Sequence, residues 1–270
     1  MIYKGVNRMS VKLNQFSRTE LAIGKEGVQA LKNSTVAILG IGGVGSFTAE
    51  ALARSGVGRL VLVDKDDVDI TNINRQIHAL LSTVGRPKVE LMKERIADIN
   101  PECEVIALKM FYTEETYEQF FSYGLDYVVD ACDTVTYKIH IIKECKQRNI
   151  PVISSMGAAN KMDPSQLRVD DISKTSYDPL AKVIRKKLRE ARIHKGVKVI
   201  YSKEIPVQQK HDTLQEIVPD PNAKIRKAKM PPASNAFVPS VAGLLAAGVV
   251  VNDLMQINEI KIDRARNQSV

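Results

Sequence analysis

The feature that most constrains the fold is an apolar strand followed directly by a glycine-rich turn, a helix and a second apolar strand. Residues 36–67 read VAILGIGGVGSFTAEALARSGVGRLVLVDKDD, and the second strand ends at Asp64. The amides at the start of such a helix face an anion, and an acid about 20 residues further on accepts hydrogen bonds from ribose hydroxyls. This stretch predicts a nucleotide site that suits NAD as well as ATP.

The alternation of strands and helices continues through the first 160 residues. Strands are expected at Thr35–Leu39, Leu60–Asp64, Glu104–Leu108, Tyr127–Asp133 and Pro151–Ser154. Helices are expected at Ser46–Ser55, Lys88–Ile99, Glu114–Ser122 and Thr136–Arg148, after a helical lead-in over residues 10–34. This order predicts an α/β fold: a Rossmann-like, doubly wound, mostly parallel sheet with helices on both faces. A C-terminal extension follows, with a basic helix, a strand near Lys198–Ser202, a proline-rich loop and a final apolar helix.

Charged side chains beyond the strands help to separate the two nucleotides. One helix terminus can largely neutralise a diphosphate, whereas a triphosphate needs further cations and usually magnesium. Lys88 begins a helix, where a cation opposes the helix dipole, so a phosphate explains it better than capping does. Asp133 is the candidate magnesium ligand. The predicted nucleotide-site residues are Gly40, Gly42, Gly43, Gly45, Asp64, Asp66, Asn72, Arg75, Gln76, Lys88 and Asp133.

Positive charge is concentrated in the C-terminal part of the chain. The net charge is +8; residues 182–198 hold eight Lys or Arg against one Glu, and KIRKAK at 224–229 adds four more. A solvated basic face and a contact surface for a polyanion explain these clusters equally well. The candidate contacts to such a partner are Arg185, Lys186, Lys187, Arg189, Arg192, Arg226 and Lys227.

The cysteines and the longest apolar run bear on zinc binding, on the cellular compartment and on membrane insertion. The three cysteines, Cys103, Cys132 and Cys145, form no C-x-x-C pair, which excludes a zinc clip of the usual spacing. Thiols in a chain without a visible export signal favour the cytoplasm, and Cys132 in a strand and Cys145 in a helix are expected core residues. The longest apolar run, residues 241–251, is shorter than the about 20 residues of a membrane span, so we expect a buried helix.

Several motifs resemble the adenylating domain shared by ubiquitin-activating enzymes and their bacterial relatives of molybdopterin and thiamine biosynthesis. They are GIGGVG, DKDDVDITNINRQ, VGRPK with a helix ending in INP, and DACD. The resemblance implies an ATP site at the residues above, with Mg²⁺ and with catalytic roles for Arg75, Lys88 and Asp133. It implies attack of a carboxylate on the α-phosphate, and a homodimer in which Arg18 of FSR reaches the phosphates of the other subunit.

Three further motifs are similar to one branch, the tRNA threonylcarbamoyladenosine dehydratases: NRQIHAL, DPLAKVIRKKLR and PPASNAFVPSVAGL. In that branch ATP activates the threonyl carboxylate and a nitrogen of the same modification closes a five-membered ring, so proximity replaces a thiol nucleophile. No cysteine follows Cys145, which fits. The resemblance implies one adenylating domain over residues 1–270, with a nucleotide-binding core at 10–160 and a tRNA-facing and dimerisation extension at 161–270.

Three other functions stay open from the sequence. An NAD-dependent oxidoreductase accounts for the glycine turn and Asp64 but leaves Arg75, Lys88 and Asp133 without a task. An activator of a ubiquitin-like or sulfur-carrier protein would use the basic face for an acidic partner, although the paired zinc motifs usual in such activators are missing. A tRNA-binding module with a vestigial pocket is the non-enzymatic alternative. A sulfur-transfer or redox protein stays open as a further partner.

Overall fold

A seven-stranded sheet flanked by helices organises the chain in the computed structural model, which describes residues 13–210 and 232–262. The strands are β1 (Thr35–Leu39), β2 (Arg59–Val63), β3 (Glu104–Leu108), β4 (Tyr127–Asp130), β5 (Val152–Ser155), β6 (Leu167–Asp171) and β7 (Lys198–Ser202). The helices are α1 (Ser17–Lys32), α2 (Gly45–Ser55), α3 (Lys88–Ile99), α4 (Tyr117–Phe121), α5 (Val135–Gln147), α6 (Pro179–Glu190) and α7 (Val238–Ile257).

The strand order explains where a ligand can bind. It runs β3-β2-β1-β4-β5-β7-β6, and every pair is parallel except β6 with β7. The order reverses between β1 and β4, and the carboxyl ends of strands at such a reversal border a crevice. The predicted doubly wound, mostly parallel sheet is therefore confirmed, and its crevice follows Leu39 and Asp130.

The core lies in two layers because successive side chains of a strand point to opposite faces of the sheet. Val36 and Ile38 belong to the layer covered by α1, α2, α3 and α7, whereas Ala37 and Leu39 belong to the layer covered by α4, α5 and α6. All five residues of β1 are buried. This burial on both faces explains the continuous apolar runs of the central strands.

Helix α7 packs in the core against α2. By length and composition it could cross a membrane, with a mean hydropathy of 1.6, but 56 % of the relevant window is buried inside the protein. Gly243 allows the approach, because a Cβ atom there would overlap the Val44 carbonyl oxygen, and the Thr48 hydroxyl donates to the Gly243 carbonyl at 3.1 Å. The buried helix expected from the apolar run is confirmed.

Strand β4 is shorter than expected. The strand predicted over Tyr127–Asp133 ends at Asp130, so Cys132 and Asp133 lie in the following loop and the placement of Cys132 in a strand was wrong. The cause is the Asp130 carboxylate, which accepts a hydrogen bond from the Cys132 amide at 3.2 Å and turns the chain.

Two other elements differ from the sequence-based expectation. The helix expected over Glu114–Ser122 covers only Tyr117–Phe121, because the Thr116 hydroxyl accepts from the Thr113 amide at 2.9 Å and holds residues 113–116 in a turn. Strand β6 was not expected. It is an antiparallel edge strand of sequence LRVDD, whose residues are mostly half-buried and lack the apolar run of the central strands.

Candidate active site

A cleft of about 500 Å³ follows the carboxyl ends of β1, β2, β4 and β5. The strand order separates its two ends, which we name the glycine end and the β5 end. Lining the glycine end are Gly40, Gly42, Gly43, Val44, Asp64, Lys65, Asp66, Asn72, Arg75, Gln76 and Lys88. Lining the β5 end are residues 155–159 and Leu180, and between the two ends lie Asp133 and Lys138. Pro232 and Ser234 also line the cleft, and the Ser234 carbonyl accepts a hydrogen bond from the Asn74 side chain at 3.0 Å, beside the glycine end. Every predicted nucleotide-site residue except Gly45 thus lines one cleft.

The glycine turn between β1 and α2 leaves no space for side chains at two of its positions. Gly40 has φ 91°, and a Cβ atom there would lie 2.8 Å from the Ala131 carbonyl oxygen. A Cβ atom on Gly45 would overlap the Gly40 carbonyl oxygen, which explains why Gly45 shapes the turn without lining the cleft. Gly42 differs, because its nearest neighbour would be the Gln76 Nε2 atom at 4.0 Å. Gly42 therefore keeps cleft volume open rather than permitting the turn.

Asp64, one residue beyond β2, braces this turn. Its Oδ2 atom accepts a hydrogen bond from the Ile41 amide at 2.7 Å, and its Oδ1 atom accepts from the Asp66 amide at 2.9 Å. Each carboxylate oxygen has a second lone pair for another donor. The geometry is compatible with the predicted ribose contact, which stays a prediction.

A buried cation, Lys88, lies at the glycine end. Lys88 is 5 % exposed, and its Nζ atom lies 3.4 Å from Asp66 Oδ2. Burial raises the pKa of Asp66, but the hydrogen bond from Lys65 and the charge of Lys88 outweigh burial and hold that pKa below its usual range. An ionised Asp66 thus holds the Lys88 ammonium beside the glycine turn, where it can meet a phosphate.

Arg75 brings a second cation to this end. Its Nη1 atom donates to the Thr71 carbonyl at 2.8 Å and to Asn74 Oδ1 at 3.0 Å. Burial lowers the pKa of Arg75 from its ordinary value, yet a guanidinium stays charged in proteins. A guanidinium has five N–H donors, so donors are left for a phosphate.

Two buried amides complete the glycine end. The Asn72 side chain accepts from the Asp69 amide at 3.2 Å and fixes the short 3₁₀ turn at Ile70–Asn72. Gln76 is 5 % exposed, and its Oε1 atom has no hydrogen-bond partner among residues 13–210 and 232–262. An unpaired buried acceptor costs about 1–3 kcal/mol. Because Gln76 lines the cleft, a ligand hydroxyl or amino group can remove that cost.

Asp133 lies exposed in the loop between β4 and α5. In the described part of the chain its one hydrogen bond comes from the Thr134 hydroxyl at 3.3 Å, and no cluster of three or more His, Cys, Asp or Glu forms a metal site there. Mg²⁺ commonly binds one or two carboxylates together with substrate phosphates rather than a full protein cage. A lone, weakly engaged carboxylate beside the phosphate-facing residues fits that mode.

An ion pair that the sequence analysis missed lies between the two ends. Asp130 is fully buried and Lys138 is 1 % exposed, with Lys138 Nζ 3.1 Å from Asp130 Oδ2 and 2.7 Å from the Ser155 carbonyl oxygen. The Ser154 hydroxyl and the Cys132 thiol also donate to Asp130, at 2.6 Å and 3.0 Å. The available signal was Lys138 at the start of the isoleucine-rich stretch KIHII of α5.

The basic helix α6 begins beside the β5 end, where Leu180 lines the cleft. Lys186, Lys187 and Arg189 are exposed along it, and Lys187 pairs with Glu190 at 3.0 Å. Arg192 is exposed just beyond the helix, with φ 60°. The predicted contacts Arg226 and Lys227 lie outside the described residues.

Arg185 differs from its neighbours on α6. It is half-buried, and its Nη1 atom donates to the Thr175 carbonyl at 2.9 Å and also contacts the Thr175 hydroxyl. Arg185 is therefore less available to a partner than its exposed neighbours, and its predicted contact to tRNA stays a prediction. Position 185 lies one residue from the apolar stripe Ala181, Ile184 and Leu188, so the side chain turns inward.

Comparison with known proteins identifies the family, since the model of the ThiF family matches residues 16–267. The chain belongs to the ThiF family. It is 72 % identical over 249 residues to the tRNA threonylcarbamoyladenosine dehydratase of Bacillus subtilis (strain 168), which covers 92 % of this chain and 98 % of that protein.

Solved structures agree over the whole fold. The E. coli tRNA N6-threonylcarbamoyladenosine dehydratase TcdA in complex with ATP has a TM-score of 0.79 and 35 % identity, covering 91 % of this chain and 95 % of that chain. Its complex with AMP has a TM-score of 0.80 and 35 % identity, covering 92 % and 96 %. The resemblance found in the sequence motifs is therefore confirmed.

Arg18 does not line the cleft of its own chain in this ThiF-family structure. It lies in the first turn of α1, and that helix packs against α2 and α7 on one face of the sheet. This position is compatible with a residue that acts across an interface. The contact to another subunit stays a prediction.

The cysteines are unsuited to covalent chemistry in this ThiF-family member. Burial raises the pKa of Cys103 to about 12 and raises the pKa of Cys145 further. Burial also raises the pKa of Cys132 well above its ordinary value, and its thiol donates to Asp130. Since the thiolate is the nucleophilic form, an acyl transfer through cysteine is disfavoured.

Proposed function

We propose that this chain is an ATP-dependent tRNA threonylcarbamoyladenosine dehydratase, which closes the threonylcarbamoyl group of adenosine-37 into a ring. The observation that carries the proposal is the 72 % identity to the Bacillus subtilis dehydratase across 98 % of that protein. The cleft supports it, because one end presents cations and glycine-turn amides and the other borders a basic helix. The proposal includes a cytoplasmic location, which a tRNA substrate and three free cysteines support, since thiols stay reduced there.

The proposed reaction has two steps, adenylation of the threonyl carboxylate by ATP and closure of the ring. ATP binds at the glycine end, where Lys88 and Arg75 offset phosphate charge and Asp64 accepts from the ribose. A threonyl carboxylate oxygen attacks the α-phosphorus and diphosphate leaves, which gives an acyl adenylate. Asp133 would hold Mg²⁺, which when bound neutralises charge on the diphosphate. The nitrogen of the same modification then attacks the acyl carbon, AMP leaves, and the nitrogen loses its proton to water.

Mass measurement of the nucleoside tests this function. The protein is incubated with ATP and tRNA carrying threonylcarbamoyladenosine, and the digested nucleosides are weighed. We expect the modified nucleoside to lose one water, with one AMP formed for each ring. The unmodified tRNA is the control. An unchanged nucleoside mass in the presence of ATP would exclude the function.

We further propose that the protein is a homodimer with a shared phosphate site, in which Arg18 of one subunit completes the glycine end of the other. Mixing the Arg18→Ala protein with the Lys88→Ala protein tests this, because a mixed dimer contains one intact site. We expect activity above that of either variant alone. After subunit exchange has been demonstrated, a mixture no more active than its parents would show that Arg18 does not act across the interface.

A further inference from the structure

The described residues that line the β5 end carry no charge, and the buried ammonium of Lys138 borders this end through its hydrogen bond to the Ser155 carbonyl oxygen. The apolar and small residues Met156, Gly157, Ala158 and Leu180 form much of the surface there. The nucleotide-facing cations Lys88 and Arg75 lie at the opposite end, after β2. A pocket of small apolar surface around a single ammonium is suited to a compact, uncharged side chain that carries one carboxylate.

The hydrogen bonds of Lys138 leave one donor for a ligand. An ammonium has three N–H donors. One goes to Asp130 Oδ2 at 3.1 Å and one to the Ser155 carbonyl oxygen at 2.7 Å, and the described residues supply no further acceptor. Because Lys138 also lines the cleft, a ligand oxygen is the available partner for the third.

Neighbouring groups fix the position of this ammonium. Asp130 is held by the Ser154 hydroxyl at 2.6 Å and by the Cys132 amide at 3.2 Å. The anchors therefore come from the end of β4, the end of β5 and the loop between β4 and α5. A donor held by two acceptors, one of which is itself held by its neighbours, does not need to reorganise during a reaction, which is the property that makes fixed donors effective.

We propose that the β5 end binds the acyl portion of the substrate, and that Lys138 is a catalytic residue that donates a hydrogen bond to the threonyl carboxylate oxygen. This inference rests on the proposed function and names the group that receives the substrate carboxylate. Lys138 holds that carboxylate for attack on ATP. The same N–H then faces the acyl carbonyl oxygen of the adenylate.

Ring closure gives this donor its largest effect. The lone pair of the adenine N6 atom forms a bond to the acyl carbon, and the bond between that carbon and the phosphate oxygen breaks. The electron pair leaves with AMP, and the N6 proton passes to water. Negative charge builds up on the acyl oxygen during the attack. A fixed donor to such an oxygen contributes a rate factor of about 10²–10³.

The alternative is that the ion pair between Lys138 and Asp130 has a purely structural role and joins α5 to β4 and β5. Replacing a buried ion pair by neutral residues is often neutral or stabilising, whereas removing one partner leaves a costly unpaired charge. The double variant Asp130→Asn/Lys138→Met therefore separates the two roles, because it removes the donor without leaving a buried charge. Lys138→Met and Lys138→Arg complete the series.

Lys161 provides the matched control. It is also buried, at 2 % exposed, and its ammonium donates to the Glu204 carbonyl, but it does not line the cleft. Lys161→Met removes a buried lysine with a backbone acceptor and no access to substrate. All variants are compared with wild type for unfolding midpoint, ATP Kd, and single-turnover formation of AMP and ring with threonylcarbamoyl-modified tRNA.

We expect the double variant to fold and bind ATP within about twofold of wild type, and its ring closure to slow by about 10²–10³. Lys138→Arg should keep part of the wild-type rate that the double variant loses, and Lys161→Met should keep the wild-type rate per folded molecule.

If Lys138→Met does not fold, the rate of the double variant alone decides between the catalytic and the structural role. A folded double variant within about threefold of the wild-type rate would overturn the proposal, as would an ATP Kd that rises in step with the lost activity. A wild-type protein that forms no ring contradicts the proposed function itself.

Discussion

The two ends of the cleft are built by different means. At the glycine end, backbone atoms of Gly40 and Gly45 lie so close to neighbouring backbone that no side chain fits. Behind the β5 end, side-chain amides outside the cleft lining connect separate segments: Asn160 Oδ1 accepts from the Ala233 amide at 3.1 Å, and Asn235 donates to the Lys161 carbonyl at 2.6 Å. Changes to Gly40 and Gly45 should therefore act on the fold, whereas changes at Gly42 or at the residues that line the β5 end should act on ligand binding and turnover.

The largest effect is expected within the glycine turn. Gly45→Ala should abolish folding or destabilise the protein by more than about 4 kcal/mol, because its Cβ atom overlaps the Gly40 carbonyl oxygen. Gly42→Ala is the matched control. It meets only the end of Gln76 at 4.0 Å, so it should keep the wild-type unfolding midpoint and weaken ATP binding instead. Equal unfolding midpoints for both variants would contradict the backbone account of this end.

The next largest effect is expected for Asp133, whose loss should lower activity and leave stability unchanged. Asp133→Ala should reduce AMP formation with modified tRNA by about 100-fold or more, because the variant lacks the carboxylate proposed to hold Mg²⁺ against the charge of the leaving diphosphate. Its unfolding midpoint should not change, since Asp133 is exposed and accepts only one 3.3 Å hydrogen bond from a described residue. Asp67→Ala is the control, because Asp67 pairs with Lys109 at 2.7 Å and does not line the cleft. Normal turnover by Asp133→Ala would remove Asp133 from the magnesium site.

Acid should weaken the structure behind the glycine end. His78 is 4 % exposed, neither ring nitrogen has a partner among the described residues, and burial, with the charges of Lys88 and Arg95, lowers the pKa of His78 to about 4. The unfolded chain binds a proton below about pH 6.5. Stability is therefore complete above that pH and falls between pH 6.5 and 4, by on the order of 3 kcal/mol.

Denaturant unfolding at pH 7 and pH 4.5 measures this effect. His78→Phe should lose less stability than wild type between the two pH values. His194→Asn should lose as much as wild type, because His194 is exposed. An identical loss in wild type and His78→Phe would mean that His78 carries a proton in the folded state.

The smallest effect is expected on the basic helix. Lys186→Glu/Arg189→Glu should weaken tRNA binding and reduce the slope of log Kd against log salt by about 1.5, since each phosphate contact contributes about 0.7–0.9. The control is Lys25→Glu/Lys93→Glu, which reverses two exposed charges on α1 and α3 at the opposite face of the sheet. The two reversals should leave ATP affinity unchanged. Equal salt slopes for both double variants would place the tRNA surface elsewhere.

Sequence patterns predicted the glycine end well because its determinants are local. Gly40 and Gly45 belong to one turn, and Asp64 and Lys88 directly follow or begin regular elements whose ends match the periodicity within about one residue. Lys88 could be singled out because a cation at a helix start opposes the local dipole. Each of these signals is contained in its own short segment, so none of them requires knowledge of which segments the tertiary fold brings together.

The β5 end could not be predicted because it depends on how the separate elements β4, α5 and β5 pack against one another. Lys138 is next to Asp130 only because α5 folds back over β4, and next to Ser155 only because β5 pairs with β4. The sequence could not distinguish Arg185 from its exposed neighbours, because a lysine- and arginine-rich helix shows the same pattern whether one arginine turns inward or not. Burial of a single charged residue is decided by its tertiary neighbours, which periodicity does not contain.

The most direct test of the account is diphosphate exchange into ATP, measured with three candidate carboxylates. The protein is mixed with ATP and labelled diphosphate, and supplied with threonylcarbamoyl-modified tRNA, the same tRNA without the modification, or a carrier protein that ends in Gly-Gly. Because ATP is expected at the glycine end and the threonyl carboxylate at the β5 end, label should enter ATP only with the modified tRNA. Exchange driven by the carrier protein, or exchange that is equal with both tRNAs, would contradict it.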